Sequence, residues 1–466
     1  MQKVGLAAAA LVVGVAWAAT QEWLFAVEVA TLLFGLWILG PLRDYPLLPI
    51  AVVAEWLAVT VAPIYLTLTG RRILELRGFD PTLVVGVGCA ALCTQFLGLR
   101  LGFALADRGD PQRQGQRKAE PTMPMPWLVG TYVVMSLAHA LVLRVGIHQM
   151  LSVVQILLGI DAFRMVVLYM LVLRLLPRRN GGVWVAIVAG LEILVLPYGW
   201  MAEFLPPLVL IIAGVFSHLR QRRLTLPRWL ALGAVTGAVM VVMVMWTGIK
   251  PGLRQATRVL GSQVESNRLS ELGQAAEAWW QRGAWKHDTD ALVSRIWALY
   301  YPGLAFRRVP ASVHHTDGAI ITAALIHIVT PRLLFPDKPT TIDADSKAVR
   351  RYAGVWVAGS KEHTSIGFGR FGESFVDFGI AGVLVMEFAF GVVLSLALGR
   401  VSRRIAHPEL RRAVGATLAL TLCGMQSSWI MTLGPTLLAF LIVGVGSMLV
   451  DRYWLRARVQ PSLEAT

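Results

Sequence analysis

The sequence predicts an all-α polytopic membrane protein, with about 12 transmembrane helices interrupted by one large helical loop on the outer side. Three observations predict it. The 466-residue chain is 56% hydrophobic and only 15% charged, where a soluble domain carries about 25% charged residues. Its mean hydropathy of +0.61 belongs to a surface that water would leave adhesive. Apolar runs near the ~20 residues needed to cross ~30 Å of hydrocarbon recur along the chain.

The runs begin close to Val4, Leu24, Leu47, Leu83, Trp127, Ala162, Val183, Leu205, Trp229, Phe375, Val414 and Leu433. Lys3 precedes the first, and Ala16-Trp17-Ala18 resembles a small-residue cleavage site. A retained first helix is favoured over a cleaved signal peptide, because parity then works to the C-terminus. The Leu205 run is short, opened by Pro206 and Pro207 and closed by His218-Leu219-Arg220. Basic residues in short connections mark the cytoplasmic side. Arg43, residues 108–118, Arg178 and Arg179, and residues 220–228, 400–412 and 452–458 fall in alternate connections. Both termini are therefore expected in the cytoplasm. Arg71, Arg72 and Arg77 fall on the far side, as a local exception or as a contact with an anionic partner.

Three regions follow. Residues 1–249 hold about nine membrane helices, residues 250–372 form the large outer loop, and residues 373–466 hold about three more. Long loops do not obey the charge rule, so the basic content of 250–372 is no objection. Within it Leu260, Val264, Leu272, Ala276 and Trp279 recur at helical spacing, an amphipathic helix for the bilayer or its neighbours. A second short helix is expected over 291–300. The apolar stretch Ala319–Val329 is too short to span and reads as interfacial or re-entrant. The loop is thus a folded cap.

The net charge of +15 does not point to nucleic acid, because the cations sit at the ends of apolar runs as topology signals do. Cys89, Cys93 and Cys423 all lie in apolar runs and cannot frame an aqueous disulfide domain. The sequence has no P-loop, dinucleotide fingerprint, paired CxxC or HExxH, and no metal or cofactor is expected.

Charges inside membrane helices are candidates for function or for ion pairing between helices. They are Glu28, Glu55, Arg100, Arg164, Glu192 and Glu387. Arg164, preceded by Asp161, lies near the outer end of its helix and is expected to face a cavity below the loop. His139 reads as a hydrogen-bonded core histidine. Arg295 shares a helix face with Leu292, Ile296 and Leu299, which puts a guanidinium on an apolar stripe. It there needs an anionic partner or snorkels to the interface.

The densest constellation spans residues 331–382. PRLLFPDKP at 331–339 holds Arg332 and Lys338 on a proline-bounded turn, an arrangement suited to a pyrophosphate. Arg350, Arg351, Lys361 and His363 follow. GFGRFGESFVDFGIAG at 367–382 then leads into a membrane helix, with Arg370, Glu373 and Asp377 at its mouth. Glu373 and Asp377 share one face. They serve either the helix dipole or a proton and a sugar hydroxyl.

These residues resemble the Wzy-type polysaccharide repeat-unit polymerases, or O-antigen polymerases. The resemblance covers about 60 residues, carried by Pro331, Arg332, Pro336, Lys338, Pro339, Thr364, Ser365, Gly372, Glu373, Phe378, Gly379 and Gly382. The usual aromatic-then-Asn stretch is replaced by Phe375-Val376-Asp377, which leaves the role of Asp377 open. Arg351 and Gly367 fit the family's spaced Arg and Gly. The resemblance implies a metal-independent glycosyltransferase at the outer face of the bacterial inner membrane, joining oligosaccharide units carried on undecaprenyl pyrophosphate. It implies pyrophosphate contacts from Arg332, Lys338, Arg351 and Arg370, supported by Arg295 and Arg164. Glu373, Asp377 or His363 would handle the proton. A flippase and a chain-length regulator are the implied protein partners. An oligosaccharide ligase differs only in its acceptor. A lipid-linked-sugar flippase predicts repeated halves, which the sequence lacks. A non-catalytic scaffold would use the loop for docking.

Overall fold

The computed structural model describes residues 12–15, 18, 20, 22–40, 42, 45–70, 78–107, 123–145, 151–195, 201–220, 237, 240–252, 268–330, 335, 342–357, 366–422 and 424–455. Among them there is no strand. The helices in chain order are α1 (Trp23–Leu39), α2 (Leu48–Leu68), α3 (Pro81–Asp107), α4 (Met125–Val145), α5 (Leu151–Leu175), α6 (Gly181–Val195) and α7 (Met201–Arg220). In the loop region come α8 (Arg268–Arg282), α9 (Trp285–Ile296), α10 (Tyr300–Arg308), α11 (Ala319–Val329) and α12 (Ile342–Ala348). The C-terminal region holds α13 (Gly369–Arg404), α14 (Pro408–Ala419) and α15 (Trp429–Ala439), the last continuing through π turns.

Four helices are long and apolar enough to cross a membrane: α2, α3, α13 and Trp429–Tyr453. Shorter apolar helices accompany them, including α1 and α11. The run near Val414 forms only the 12-residue α14, after which the chain breaks into an irregular segment through Ser428. The expected second loop helix is divided, α9 ending at Ile296 and α10 starting at Tyr300. Leu260 and Val264 lie outside the described residues, and α8 carries the remainder of that pattern.

The frame is the crossing of α3 and α13, made close by small residues. A Cβ on Gly98 would collide with the Phe388 carbonyl, and one on Gly391 with the Gln95 carbonyl. Small residues let apolar helices approach backbone to backbone in lipid. α2 and α1 pack against α3, while α5 is the hub for α4, α6, α7, α14 and α15.

One proline explains how the loop region docks. Pro63 lies inside α2 and has no N–H to give the Val59 carbonyl. The Trp297 indole N–H takes that place at 2.9 Å, and the Ala298 N–H donates to the Ala58 carbonyl at 2.7 Å. The Tyr65 hydroxyl adds a bond to Asp290, 2.7 Å. The link between α9 and α10 is thereby fixed to a membrane helix.

Candidate functional site

The N-terminal part of α13 is the meeting point of the loop region and the membrane helices. Gly379 adopts φ 69°, ψ −161°, and breaks α13 there. That conformation is open only to glycine. The break deprives the Val376 carbonyl of its helical donor; the Thr316 N–H supplies one at 3.1 Å and the His315 ring lies at 3.1 Å. The segment before α11 is thus wrapped on the kink.

Asp377 is 1% exposed and caps α11, not its own helix. It accepts from the N–H groups of Ile320 (3.1 Å) and Ile321 (2.9 Å) and from the Thr316 hydroxyl. An aspartate at a helix N-terminus satisfies orphan donors and complements the dipole. Its role in this structure is to hold α11 against α13.

Arg370 is wholly buried. Its Nε faces both oxygens of Glu387 at 2.9 and 3.1 Å, and its Nη2 donates to Glu55 at 2.8 Å. The expected pyrophosphate contact is instead an internal clasp, because α2 and α13 both turn carboxylates toward it. Glu55 also accepts from the N–H groups of Gly424 (2.6 Å) and Met425 (3.1 Å), so the clasp stitches down the irregular segment between α14 and α15. Irregular backbone survives at membrane depth only where protein or a cavity satisfies it.

Glu373, one helical turn on, is 6% exposed and accepts from the Trp429 N–H at 2.7 Å. Asp345 of α12 is close enough to repel it. Burial pushes the Asp345 carboxyl above its usual range, opposed by a hydrogen bond with Ser428. Two buried carboxylates therefore share a site between α12, α13 and the start of α15. Asp345 was not singled out in the sequence. Its signal was a polar IDADSK stretch inside the basic segment.

Cations lie on the neighbouring elements, since α10 packs on α13 and the 349–353 turn packs on α12. α10 packs on the turn at Val349–Ala353, so Arg307, Arg308, Arg350 and Arg351 are carried on two touching elements. Arg308 lies over Gly354, which has a φ of 72° and no room for a Cβ. Arg350 donates to the Val357 carbonyl and stacks on Trp356, while Arg351 lies over Tyr352. Burial raises the Tyr352 hydroxyl; Arg351 opposes this and Asp377 adds to it. Arg351 and Arg307 are exposed, with no ion pair among the described residues.

A cavity of about 460 Å³ lies on the other side of α10. Phe79, Leu83, Val84 and Phe306 give it apolar walls, and Arg307 a single cation. Asp80 is occupied in capping α3, accepting from Thr82 at 3.0 Å and Leu83 at 3.3 Å. Phe306 stacks on Phe375 with centroids 3.6 Å apart and on Phe371 at 5.9 Å. One aromatic stack therefore connects the cavity wall to the helix turn that carries Glu373.

Two further expectations change. Arg295 is exposed while Leu292 and Leu299 are buried, because α9 stops at Ile296 and the apolar stripe does not continue as one helix. Arg164 is buried, with its guanidinium engaged by Asp161 and Glu192. Arg332, Lys338 and His363 lie outside the described residues, as do Lys361, Thr364, Ser365, Cys423 and the arginines at 71, 72 and 77.

Compared with family models, curated proteins and solved structures, the chain finds no match. The fold defines a helical membrane protein. What distinguishes it is a buried acidic pair on helices packed against arginine-bearing elements.

Proposed function

We propose that this chain is a membrane glycosyltransferase of the repeat-unit polymerase kind, using lipid-pyrophosphate-linked oligosaccharides at the outer face of the bacterial inner membrane. The observation that carries the reading is the buried Asp345–Glu373 pair, on helices that pack against the arginine-bearing α10 and 349–353 turn. On this reading about a dozen helices cross the bilayer, both termini are cytoplasmic, and the loop region is outside.

The chemistry follows from charge. As the glycosidic bond to the carrier breaks, its electrons move onto the departing pyrophosphate. Fixed cations that face this growing charge are the main catalytic resource of such a site. Arg307 and Arg351 are the exposed candidates, and Arg332 and Lys338 extend the same basic segment in sequence. The apolar cavity beside Arg307 suits the first part of a lipid chain. The acceptor hydroxyl forms the new bond to the sugar and loses its proton to Glu373 or Asp345. A carboxyl whose proton is held more tightly by burial, as at Asp345, suits that task, and general-base help contributes about 10²- to 10⁴-fold in rate. No metal is needed for these steps.

The test is glycan chain length in a deletion strain complemented with Glu373→Gln, Asp345→Asn or Arg307→Ala. Single repeat units on the final acceptor, with variant protein present in the membrane, are the expected result. Full-length polymer left on the carrier would indicate a ligase, and loss of carrier-linked glycan from the outer face a flippase.

A further inference from the structure

A second polar cluster lies inside the helix bundle, apart from the acidic pair. Tyr132, Ser136 and His139 recur on one face of α4 at i, i+4 and i+7, while Val134, Leu137 and Leu141 face outward. Asp161 and Arg164 come from α5, and Glu192 from α6. Arg164 Nε donates to Asp161 Oδ1 at 2.7 Å, and Nη1 donates to Glu192 Oε1. The Tyr132 hydroxyl donates to the same Glu192 oxygen at 2.5 Å. His139 Nδ1 lies 3.2 Å from Asp161 Oδ1.

Charge counting leaves this cluster incomplete. Two carboxylates meet one guanidinium, so the group carries one excess negative charge while His139 is neutral. Arg164 and Glu192 are each 1% exposed, yet Arg164 Nη2, Glu192 Oε2 and His139 Nε2 have no hydrogen-bond partner. The clasp at Arg370 has the same two-to-one ratio. There two backbone N–H groups complete Glu55 and Glu387 lays both oxygens on Arg370, so both carboxylates are satisfied and only Arg370 Nη1 lacks a partner.

Among the described residues no other charged group supplies the difference. α7 packs on α5 and α6, and the part of it with described side chains brings only His218, at its far end. Glu409 of α14 lies on Arg174, about 15 Å further along α5 at ~1.5 Å per residue, and Arg412 acts on Tyr169, more than a helical turn beyond Arg164. The stretch from Trp429 through Val445 carries no charge. An uncompensated charge in an apolar interior is costly and is relieved by a proton or a partner.

We propose that the α4–α5–α6 cluster is a proton-binding site, with His139 the acceptor and Asp161 its counterion. A hydronium ion gives its proton to Nε2 and leaves as water, while Nδ1–H donates to Asp161. The cluster then consists of two neutral pairs, Arg164 with Glu192 and His139 with Asp161. Histidine is the side chain suited to such a change near neutrality. The site does not depend on the glycosyltransferase reading.

The test uses full-length protein in lipid nanodiscs, with nitrogen-labelled histidine observed by NMR between mildly acidic and mildly alkaline buffer. The expected result is one ring signal that changes from neutral to doubly protonated form, is missing from His139→Gln and loses its response in Asp161→Asn. Should His139→Gln fail to fold, His139→Asn serves the assignment. A His139 signal that stays in one form throughout overturns the proposal, as does a full response retained in Asp161→Asn. A response that tracks sodium at fixed pH overturns it too, making the site one for a metal cation.

Discussion

Arg370→Met tests the clasp most directly. The guanidinium lies 2.8 Å from Glu55 and 2.9 Å from Glu387, all three wholly or nearly buried. At an effective dielectric of about 20, each such pair attracts by about 6 kcal/mol before desolvation is counted. Removing one partner of a buried pair costs about 3–5 kcal/mol, because the remaining charge stays in an apolar interior. Here two carboxylates remain, and they repel each other. The expected destabilisation is therefore at least about 3 kcal/mol, read as a lower thermal midpoint and a broadened size-exclusion peak in detergent. Adding Glu387→Gln should recover part of the loss, since Glu55 keeps its two backbone donors. A single variant as stable as wild type would refute the argument, for the carboxylates would then already be neutral. If Arg370 instead contacted substrate, Arg370→Lys would lose activity at unchanged stability.

Glu373→Gln should lower polymer formation by about 10²- to 10⁴-fold with membrane insertion intact, measured by incorporation of labelled repeat units into polymer. Arg307→Ala should raise the KM for the lipid-linked donor roughly tenfold, about 1.4 kcal/mol, with a smaller effect on kcat. Asp345 carries a pH prediction. Its carboxyl is raised in the fold, so the protonated form is favoured there. That contribution is fully present below the unfolded pKa and is lost as pH rises through the folded value. Asp345→Asn stays neutral at every pH, and should hold its thermal midpoint as the buffer rises from the ordinary carboxylate range through the raised folded value, where wild type declines; parallel decline would exonerate Asp345. Gly379→Ala forces a side chain into a backbone region reserved for glycine and should cost about 1–3 kcal/mol, seen as a lower midpoint and faster proteolysis at the segment before α11.

The helical membrane class was legible because composition and run length speak directly to it. The apolar stretch Ala319–Val329 forms a single 11-residue helix with those bounds. What sequence spacing missed was partnership across long chain distances. Glu55 and Glu387 were legible as charges that pair between helices, but nothing local names Arg370 as their common partner, 315 positions from Glu55. GFGRFGES shows the arginine beside Glu373, and proximity in sequence made both look like one open site. On the helix they face differently, Arg370 into the bundle and Glu373 toward Trp429. Arg295 misled for a local reason, since its apolar neighbours continue past the helix end. Arg307 and Arg308 carry no local signal of their own, because paired basic residues at a helix C-terminus are ordinary dipole partners.

The clasp and the acidic pair share one irregular segment, and this makes them a single mechanical unit. Glu55 holds the segment at Gly424 and Met425, the Arg370 N–H holds the Ser427 carbonyl at 2.8 Å, and Glu373 holds the Trp429 N–H. Asp345 meets the same segment through Ser428. The spacing of the two carboxylates is therefore set by backbone whose own position depends on a buried ion pair. A site of this kind gains fixed geometry, because the backbone N–H groups of Gly424, Met425, Ser427 and Trp429 are all engaged. It also becomes sensitive to charges that never touch the substrate. Loss of Glu55 must shift Ser428 and Trp429 together, and with them the partners of both acids. Activity and stability should consequently fall together in clasp variants and separate in Glu373 variants, a division that no independent arrangement of the two clusters would produce.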